Sequence, residues 1–212
     1  MERDREMIKV TYIDHMGSDL SVVNAARVSF GKTSKTMTDG DVKLIKYLAK
    51  HKHMSPFGHA FASFHVKAPI FVARQLVKHK FLRWNEISRR YVDDEPEFYM
   101  PNQWRGRADD KKQGSAGVIE GIDYTVVESL VKCAKHDYNY LLAKGVSPEQ
   151  ARMILPQNMM TEWYWSGSLD AFMDMCNLRC KLDTQYETRL VAEYILSEMI
   201  NLFPVSVEAL VR

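Results

Sequence analysis

The chain has 212 residues, of which 46% are hydrophobic and 26% charged, and its formal net charge is +2. These values are ordinary for a soluble globular protein with room for one sizeable domain or two small ones. No run of about 18 apolar residues occurs, which excludes a predicted membrane span. The charged N-terminus (residues 1–6) does not resemble a signal peptide. We therefore expect a cytoplasmic protein.

Cysteine usage supports the same compartment. The three cysteines, Cys133, Cys176 and Cys180, form no C-x-x-C pair and have no histidines at metal-ligand spacing. They are interpreted as thiols in the core, so the sequence predicts neither structural disulfides nor a metal site.

The first half of the chain predicts short strands and helices in turn. Alternating β-branched and aromatic residues predict strands over 7–13 and 60–67. Helical patterns cover 20–28 and 41–50, with a polar loop over 31–40 between them. Pro69 is expected as the first residue of a helix that runs to about Lys80. Residues 81–91 cannot be assigned from periodicity, and 97–100 are expected to be extended.

The second half begins with a polar, variable loop over residues 102–117. The predicted elements that follow are a long helix over 118–144, a short helix started by Ser147 and Pro148, a strand over 159–166, a helix over 169–181 capped by Ser168, and a last helix capped by Asp183 and ended by Pro204. Neither a repeat nor a linker is visible. The sequence therefore predicts a single domain (1–212) of the α+β class, with a central, mostly antiparallel sheet flanked by long helices.

Positive charge is concentrated between Arg74 and Arg90, where six Lys or Arg residues accompany a single Glu. Apolar residues are interleaved with them, which indicates partial burial, and part-buried cations need anionic partners. Phosphate groups suit Lys and Arg because the hydrogen bonds are charge-assisted. Two other interpretations stay open: a solvated surface with ordinary salt bridges, and a basic, aromatic surface that binds single-stranded nucleic acid.

Common catalytic motifs are absent from the sequence, among them G-x-G-x-x-G, the P-loop, G-x-S-x-G and H-E-x-x-H. Ser88 has no base close in sequence, although His53 or His79 could reach it in the fold. We favour a hydrogen-bonding Ser88 over a nucleophile. His53 and His59 bracket a tight corner at Pro56, which fits a polar loop feeding a site, or structural histidines, better than a metal site.

The segment from Lys78 to Tyr91 resembles the signature of the flavin-dependent thymidylate synthases. That signature reads R-H-R, two residues, S, one residue, N-E, one residue, S, one residue, R-Y. The residues that match it in register are His79, Asn85, Glu86, Ser88, Arg90 and Tyr91. Further similar segments follow in the family's order along nearly the whole chain, at 25–29, 53–59, 64–69, 74–75, 98–101, 151–156, 167–169, 178–179 and 183–187.

The sequence also differs from the family pattern. Lys78 and Lys80 replace arginines, and lysine keeps the charge but lacks the planar fork that binds a phosphate through two bonds. Arg83 stands where the signature has serine, and Gly58 where the family often has glutamate.

The resemblance implies that the chain methylates dUMP to dTMP, with methylenetetrahydrofolate as carbon donor, FAD as hydride carrier and NADPH as reductant. It also implies a homotetramer with active sites shared between subunits, and no nucleic-acid or membrane partner. No enzyme nucleophile is needed. By resemblance Arg179 activates the uracil ring, with Ser88 and His53 as further catalytic residues, His53 near the flavin and the folate.

Two sets of binding residues follow from the resemblance. Those implied for dUMP are Gln75, Lys78, Glu86, Ser88, Arg90, Arg152 and Arg179, with Arg90 and Arg152 suited to its phosphate. Those implied for FAD are Ser55, Lys78, His79, Lys80, Asn85, Glu86, Ser168 and Asp174. The departures at Lys78, Lys80, Arg83 and Gly58 motivate one more alternative, a relative that binds flavin or nucleotide without catalysis.

Overall fold

The computed structural model describes residues 2–92, 94–109 and 114–211. The helices are α1 Glu2–Met7, α2 Asp19–Arg27, α3 Asp39–Lys50, α4 Ile70–Leu76, α5 Thr125–Ala143, α6 Pro148–Ala151, α7 Leu169–Arg179, α8 Tyr186–Leu202 and α9 Pro204–Leu210. The strands are β1 Lys9–Met16, β2 Phe61–Pro69, β3 Leu82–Glu86, β4 Trp104–Arg105, β5 Val118–Ile119 and β6 Met160–Ser168. The α+β class is confirmed.

The central sheet has four strands in the order β1-β2-β6-β3, and each neighbouring pair is antiparallel. This confirms the predicted antiparallel sheet. Trp165 of β6 pairs with Phe64 of β2 on one side and with Trp84 of β3 on the other. Strands β4 and β5 form a separate two-stranded sheet.

The core lies between the sheet and the helices α2, α4, α7 and α8. Along β2, Ala62, Phe64 and Val66 are buried and alternate with half-buried residues, as expected for a strand with one face in the core. Phe64 meets Phe172 of α7 edge-on, with 5.2 Å between ring centroids. This packing fixes α7 against the sheet and thereby places its C-terminal end.

Strand β3 begins under a steric constraint. Phe81 has a φ of 65°, which is uncommon for a residue with a side chain, and its ring is exposed. Gly167 lies opposite Leu82, and a Cβ at Gly167 would be 2.4 Å from Leu82 Cδ2. The glycine therefore permits the close approach of β3 to β6.

The predicted helix over 118–144 is wrong in its first turns. Val118 and Ile119 pair with β4, which suits β-branched residues, and Gly121 has a φ of 76° that a helix does not allow. Helix α5 therefore begins at Thr125. The predicted loop over 102–117 contains β4, and its residues 110–113 lie outside the described part of the chain.

Other predicted boundaries shift. Pro69 ends β2 instead of opening α4, which stops at Leu76, four residues short of Lys80. Gln185, not Asp183, stands before α8, and Ser168 precedes α7 without a side-chain capping bond. Residues 204–210 continue as a helix beyond Pro204, because proline is well tolerated in a first helical turn. Helix α1 was not predicted.

Helix α5 packs weakly on its own chain. Tyr138 is its single buried residue, whereas Val126, Leu130, Cys133 and Tyr140 are exposed. The spacing of these four residues places them on one side of the helix, and we call them the α5 stripe. An exposed apolar stripe of this kind indicates an unmet packing partner. In the described part of the chain, no helix is long and apolar enough to cross a membrane.

Candidate functional site

A cavity of about 910 Å³ opens between α4, the end of α7 and the start of α8. Its polar lining includes Gln75, Lys78 and Arg179, three of the residues assigned to the nucleotide by resemblance. Val127 and Leu130 of α5 line its outer edge, so the cavity borders the α5 stripe. A volume of this size is sufficient for a small-molecule ligand.

Arg179 is the last residue of α7, where the helix dipole favours a cation. Its Nε donates to His79 Nε2 at 2.9 Å, and its terminal nitrogen reaches the backbone oxygen of Gln75 at 3.5 Å. The guanidinium is thus held in one orientation at the cavity wall. Burial lowers the pKa of Arg179, but an arginine keeps its charge in proteins.

His79 is neutral at pH 7. Burial, and next the positive charge of Arg179, lower the pKa of His79 to about 4. A neutral imidazole has one nitrogen free to accept a hydrogen bond, which matches its role toward Arg179. His79 therefore orients the cation without adding a second positive charge.

Gln75 belongs to a chain of hydrogen bonds between α4 and α8. Its Nε2 donates to Gln185 Oε1, and Gln185 Nε2 donates to Glu187 Oε2 at 3.3 Å. Glu187 is buried and forms an ion pair with Arg105. We call this set (Arg105, Glu187, Gln185 and Gln75) the amide chain. We define Gln75, His79 and Arg179 as the buried half of the candidate site.

Three further predicted residues lie at the end of β3 and in the turn after it. Glu86 Oε1 accepts from Thr161 Oγ1 at 2.7 Å, and Glu86 Oε2 accepts from Trp84 Nε1 at 3.1 Å. In the turn after β3, Arg90 Nε donates to Ser88 Oγ at 3.1 Å. We define Glu86, Ser88 and Arg90 as the exposed half of the site. None of them lines the large cavity.

The remaining predicted residues are dispersed over the chain. Ser168 lines a second groove of about 450 Å³, together with Arg83 and Asp170. The ring of His53 stacks on Tyr47, with 6.3 Å between centroids. The other members lie at the surface, among them Ser55, Lys80, Asn85, Asp174 and Arg152; Arg152 Nε donates to the Glu149 carbonyl at 3.3 Å. One chain thus brings only part of the predicted set together.

Sequence reasoning assigned no role to Arg105, Gln185 or Glu187. Residues 183–187 were noted as similar to the family, but nothing in the pattern distinguished a buried Glu187 from an ordinary acid in a first helical turn. Glu187 is 3% exposed, and its partner Arg105 is 82 positions away in the chain. That pairing depends on tertiary structure and leaves no local signal.

A family model described as "Thymidylate synthase complementing protein" matches residues 11–205. A flavin-dependent thymidylate synthase of Thermus thermophilus is 43% identical over 189 residues, which cover 88% of this chain and 69% of that protein. One from Kosmotoga olearia is 39% identical over 206 residues, covering 94% and 88%.

A solved structure is similar over nearly the whole chain. It is a UMP/dUMP methylase, PolB, from Streptomyces cacaoi bound with 5-Br dUMP. Its TM-score is 0.86 at 31% sequence identity, and the match covers 95% of this chain and 94% of that chain.

Proposed function

Because the chain belongs to the thymidylate synthase complementing protein family, we propose that it is a flavin-dependent thymidylate synthase that methylates dUMP to dTMP. In this proposal methylenetetrahydrofolate donates the carbon, FAD carries the hydride and NADPH is the reductant. The observation that carries the proposal is Arg179, a half-buried cation held by neutral His79 in the wall of a ligand-sized cavity.

Arg179 supplies the electrostatic part of the reaction. C5 of uracil is a poor nucleophile, and a fixed cation at the O2 and N3 edge stabilises negative charge on the ring and raises electron density at C5. The hydrogen bond to His79 and the contact with the Gln75 carbonyl pre-orient that cation. Gln75 adds a neutral hydrogen bond to the base. Thus no side-chain nucleophile is required.

The residues assigned to the cofactor suit a flavin dinucleotide. Lys78 and Lys80 form no ion pair with a carboxylate among the described residues, so their charges are available to a diphosphate. Ser168 and Arg83 share one groove at the start of α7, where a helix terminus favours an anion. FAD, when bound, supplies the hydride chemistry, and the protein supplies position and electrostatics. Ser55, His79, Asn85, Glu86 and Asp174 complete the proposed set, and His53 would sit near the flavin ring and the folate.

We further propose a homotetramer in which a second subunit completes each site. The exposed half of the site and Arg152 do not line the cavity of their own chain. The α5 stripe borders that cavity, so a second chain packed on the stripe also covers the cavity mouth. Arg90 and Arg152 of that second chain then bind the phosphate, and its Glu86 and Ser88 complete the dUMP site.

A second substrate, UMP, is proposed on one observation, the likeness to a UMP/dUMP methylase. Assays in which dUMP and UMP compete decide whether the site accepts the 2′-hydroxyl that UMP has and dUMP lacks. We place the reaction in the cytoplasm, with small molecules as the partners and neither nucleic acid nor a membrane involved.

An anaerobic assay with FAD, NADPH, methylenetetrahydrofolate and dUMP tests the proposal. We expect flavin reduction that dUMP accelerates, followed by dTMP detected by chromatography. Flavin binding without formation of dTMP contradicts synthase activity. It supports instead a catalytically inactive relative, in which Lys78, Lys80 and Arg83 differ from the family pattern. No flavin signal, together with salt-dependent binding of single-stranded nucleic acid, supports the basic, aromatic surface as a nucleic-acid site.

A further inference from the structure

We propose that Glu187 is a positioning residue that fixes which end of the Gln75 amide faces the nucleotide, and thereby favours uracil over cytosine. The inference rests on the proposed function, because that function assigns Gln75 to the base. Glu187 itself does not touch the substrate in this proposal. It acts through Gln185.

The argument starts from the hydrogen-bonding capacity of each group. An ionised carboxylate only accepts, whereas a glutamine amide donates at one end and accepts at the other. Glu187 Oε2 therefore requires the Nε2 end of Gln185, at 3.3 Å. That choice turns Gln185 Oε1 toward Gln75, and Gln185 Oε1 in turn requires the Nε2 end of Gln75. Glu187 thus sets the orientation of both amides.

Glu187 is itself held so that it cannot rotate away from this role. Its Oε1 is paired with Arg105 and lies 3.3 Å from the Tyr99 hydroxyl, and the guanidinium of Arg105 also stacks on Tyr186 at 4.4 Å. Burial, with a hydrogen bond to Asp4 as the next cause, raises the pKa of Tyr99, so its hydroxyl keeps its one proton and donates it to Asp4 Oδ1 at 2.7 Å. Arg105 is therefore the donor that holds Glu187 Oε1. The carboxylate is buried, so water cannot replace these partners.

The other neighbour of the Gln75 amide cannot set its orientation. Thr188 Oγ1 lies 3.2 Å from Gln75 Oε1, and a hydroxyl can serve as donor or acceptor there. If the amide rotated, Thr188 could still pair with it. The acceptor-only carboxylate is therefore the group in the amide chain that removes the ambiguity.

Orientation matters because the two pyrimidines present opposite groups. Uracil has an acceptor, O4, at the position where cytosine has a donor, its amino group. An amide with a fixed end pairs with one pattern and leaves the other unpaired. An amide that samples both orientations discriminates less between the two bases.

Three variants test this. Glu187→Gln replaces the carboxylate by an amide whose oxygen faces Arg105, so its NH2 group faces Gln185 and both glutamines of the amide chain are expected to turn over. Gln185→Met breaks the chain while the Glu187–Arg105 pair stays intact. The double change Gln185→Glu with Glu187→Gln exchanges the two groups: the new carboxylate accepts from Gln75, and the new amide donates to that carboxylate and accepts from Arg105. The exchange keeps the net charge and restores the original orientation of Gln75.

Two measurements apply to each variant. The first is hydrogen exchange of the Gln75 side-chain amide in the free protein by NMR, assigned through its loss in Gln75→Ala. The second is the ratio of the dissociation constants for dCMP and dUMP. We expect both single variants to speed exchange and to lower the ratio about tenfold, as for the loss of one hydrogen bond, and the double variant to recover most of both.

Asp41→Asn is the matched control, since Asp41 is a buried carboxylate paired with Arg27 at 2.5 Å outside the cavity. It should change stability and leave both readouts as in the wild type. Wild-type exchange and selectivity in the two single variants, or the same loss in Asp41→Asn, would overturn the proposal. If the wild type neither binds nor methylates dUMP, the proposed function fails, and amide exchange alone decides whether Glu187 orients Gln75.

Discussion

The buried half of the site (Gln75, His79 and Arg179) and the exposed half (Glu86, Ser88 and Arg90) are held in different ways. In the buried half, partners come from positions far apart in the chain, and Arg179 meets His79 across 100 positions. In the exposed half, Arg90 bonds to Ser88 two residues away and stays open to solvent. The chain therefore preorganises the groups proposed to activate the base, and it leaves the exposed half, with Arg90 proposed for the phosphate, to be covered on assembly.

The largest effect is expected in the buried half. Arg179→Ala removes the fixed cation from the uracil edge, and loss of one such electrostatic group lowers turnover by about 10³-fold. The fold should survive, because Arg179 ends its helix and is only half buried. Single-turnover formation of dTMP and a thermal melt check both statements. Turnover like that of the wild type would contradict the assignment of Arg179.

The second prediction concerns how the two halves meet. Val126→Glu places a charge in the α5 stripe, where the side chain is 66% exposed in the single chain. We expect the assembly to dissociate in light-scattering measurements, and activity to fall about 10²-fold at micromolar protein because each site loses its exposed half. Asn139→Glu, on another side of α5, is the control. An active monomer would show that one chain suffices.

These two halves also differ in how far the sequence predicts them. The exposed half lies in one continuous segment, so a local pattern identifies it, and strong alternation likewise predicts β2 and β6. The buried half depends on packing. The pattern of α4 gives no sign that Gln75 reaches Gln185. Burial of Glu187 follows from contacts with Tyr99, in a segment predicted as extended, and with Arg105, in the region predicted as a variable loop.

The same limit explains the wrong start of α5. Residues 118–124 have apolar side chains at helical spacing, but pairing of Val118 with Arg105 in β4 overrides that local preference. Propensity is a weak guide where a tertiary partner is available.

A smaller effect is expected in the exposed half. Arg90→Ala removes a cation proposed to bind the nucleotide phosphate, and a charge-assisted hydrogen bond contributes about 1.5–3 kcal/mol. The KM for dUMP should rise roughly 10- to 100-fold, with little change in kcat at saturation. Arg90→Lys should recover part of the loss, since it keeps the charge. A fall in kcat with an unchanged KM would instead place Arg90 in the chemical step.

The smallest expected effect is on the pH dependence of the free energy of unfolding, and it reports on His79 in the buried half. The pKa of His79 is about 4 in the folded chain and about 6.5 in an unfolded one. As the pH falls from 6.5 toward 4, the unfolded chain therefore binds a proton that the folded chain does not, and the free energy of unfolding decreases. One proton changes that free energy by at most about 1.4 kcal/mol per pH unit, and the value here is smaller because His79 is partly solvated.

His79→Gln keeps an acceptor for Arg179 Nε but does not titrate, so its urea midpoint should fall less over this range than that of the wild type. His136→Gln, on the exposed surface of α5, controls for the loss of a histidine. Parallel curves for His79→Gln and the wild type would show that His79 is not held neutral against Arg179.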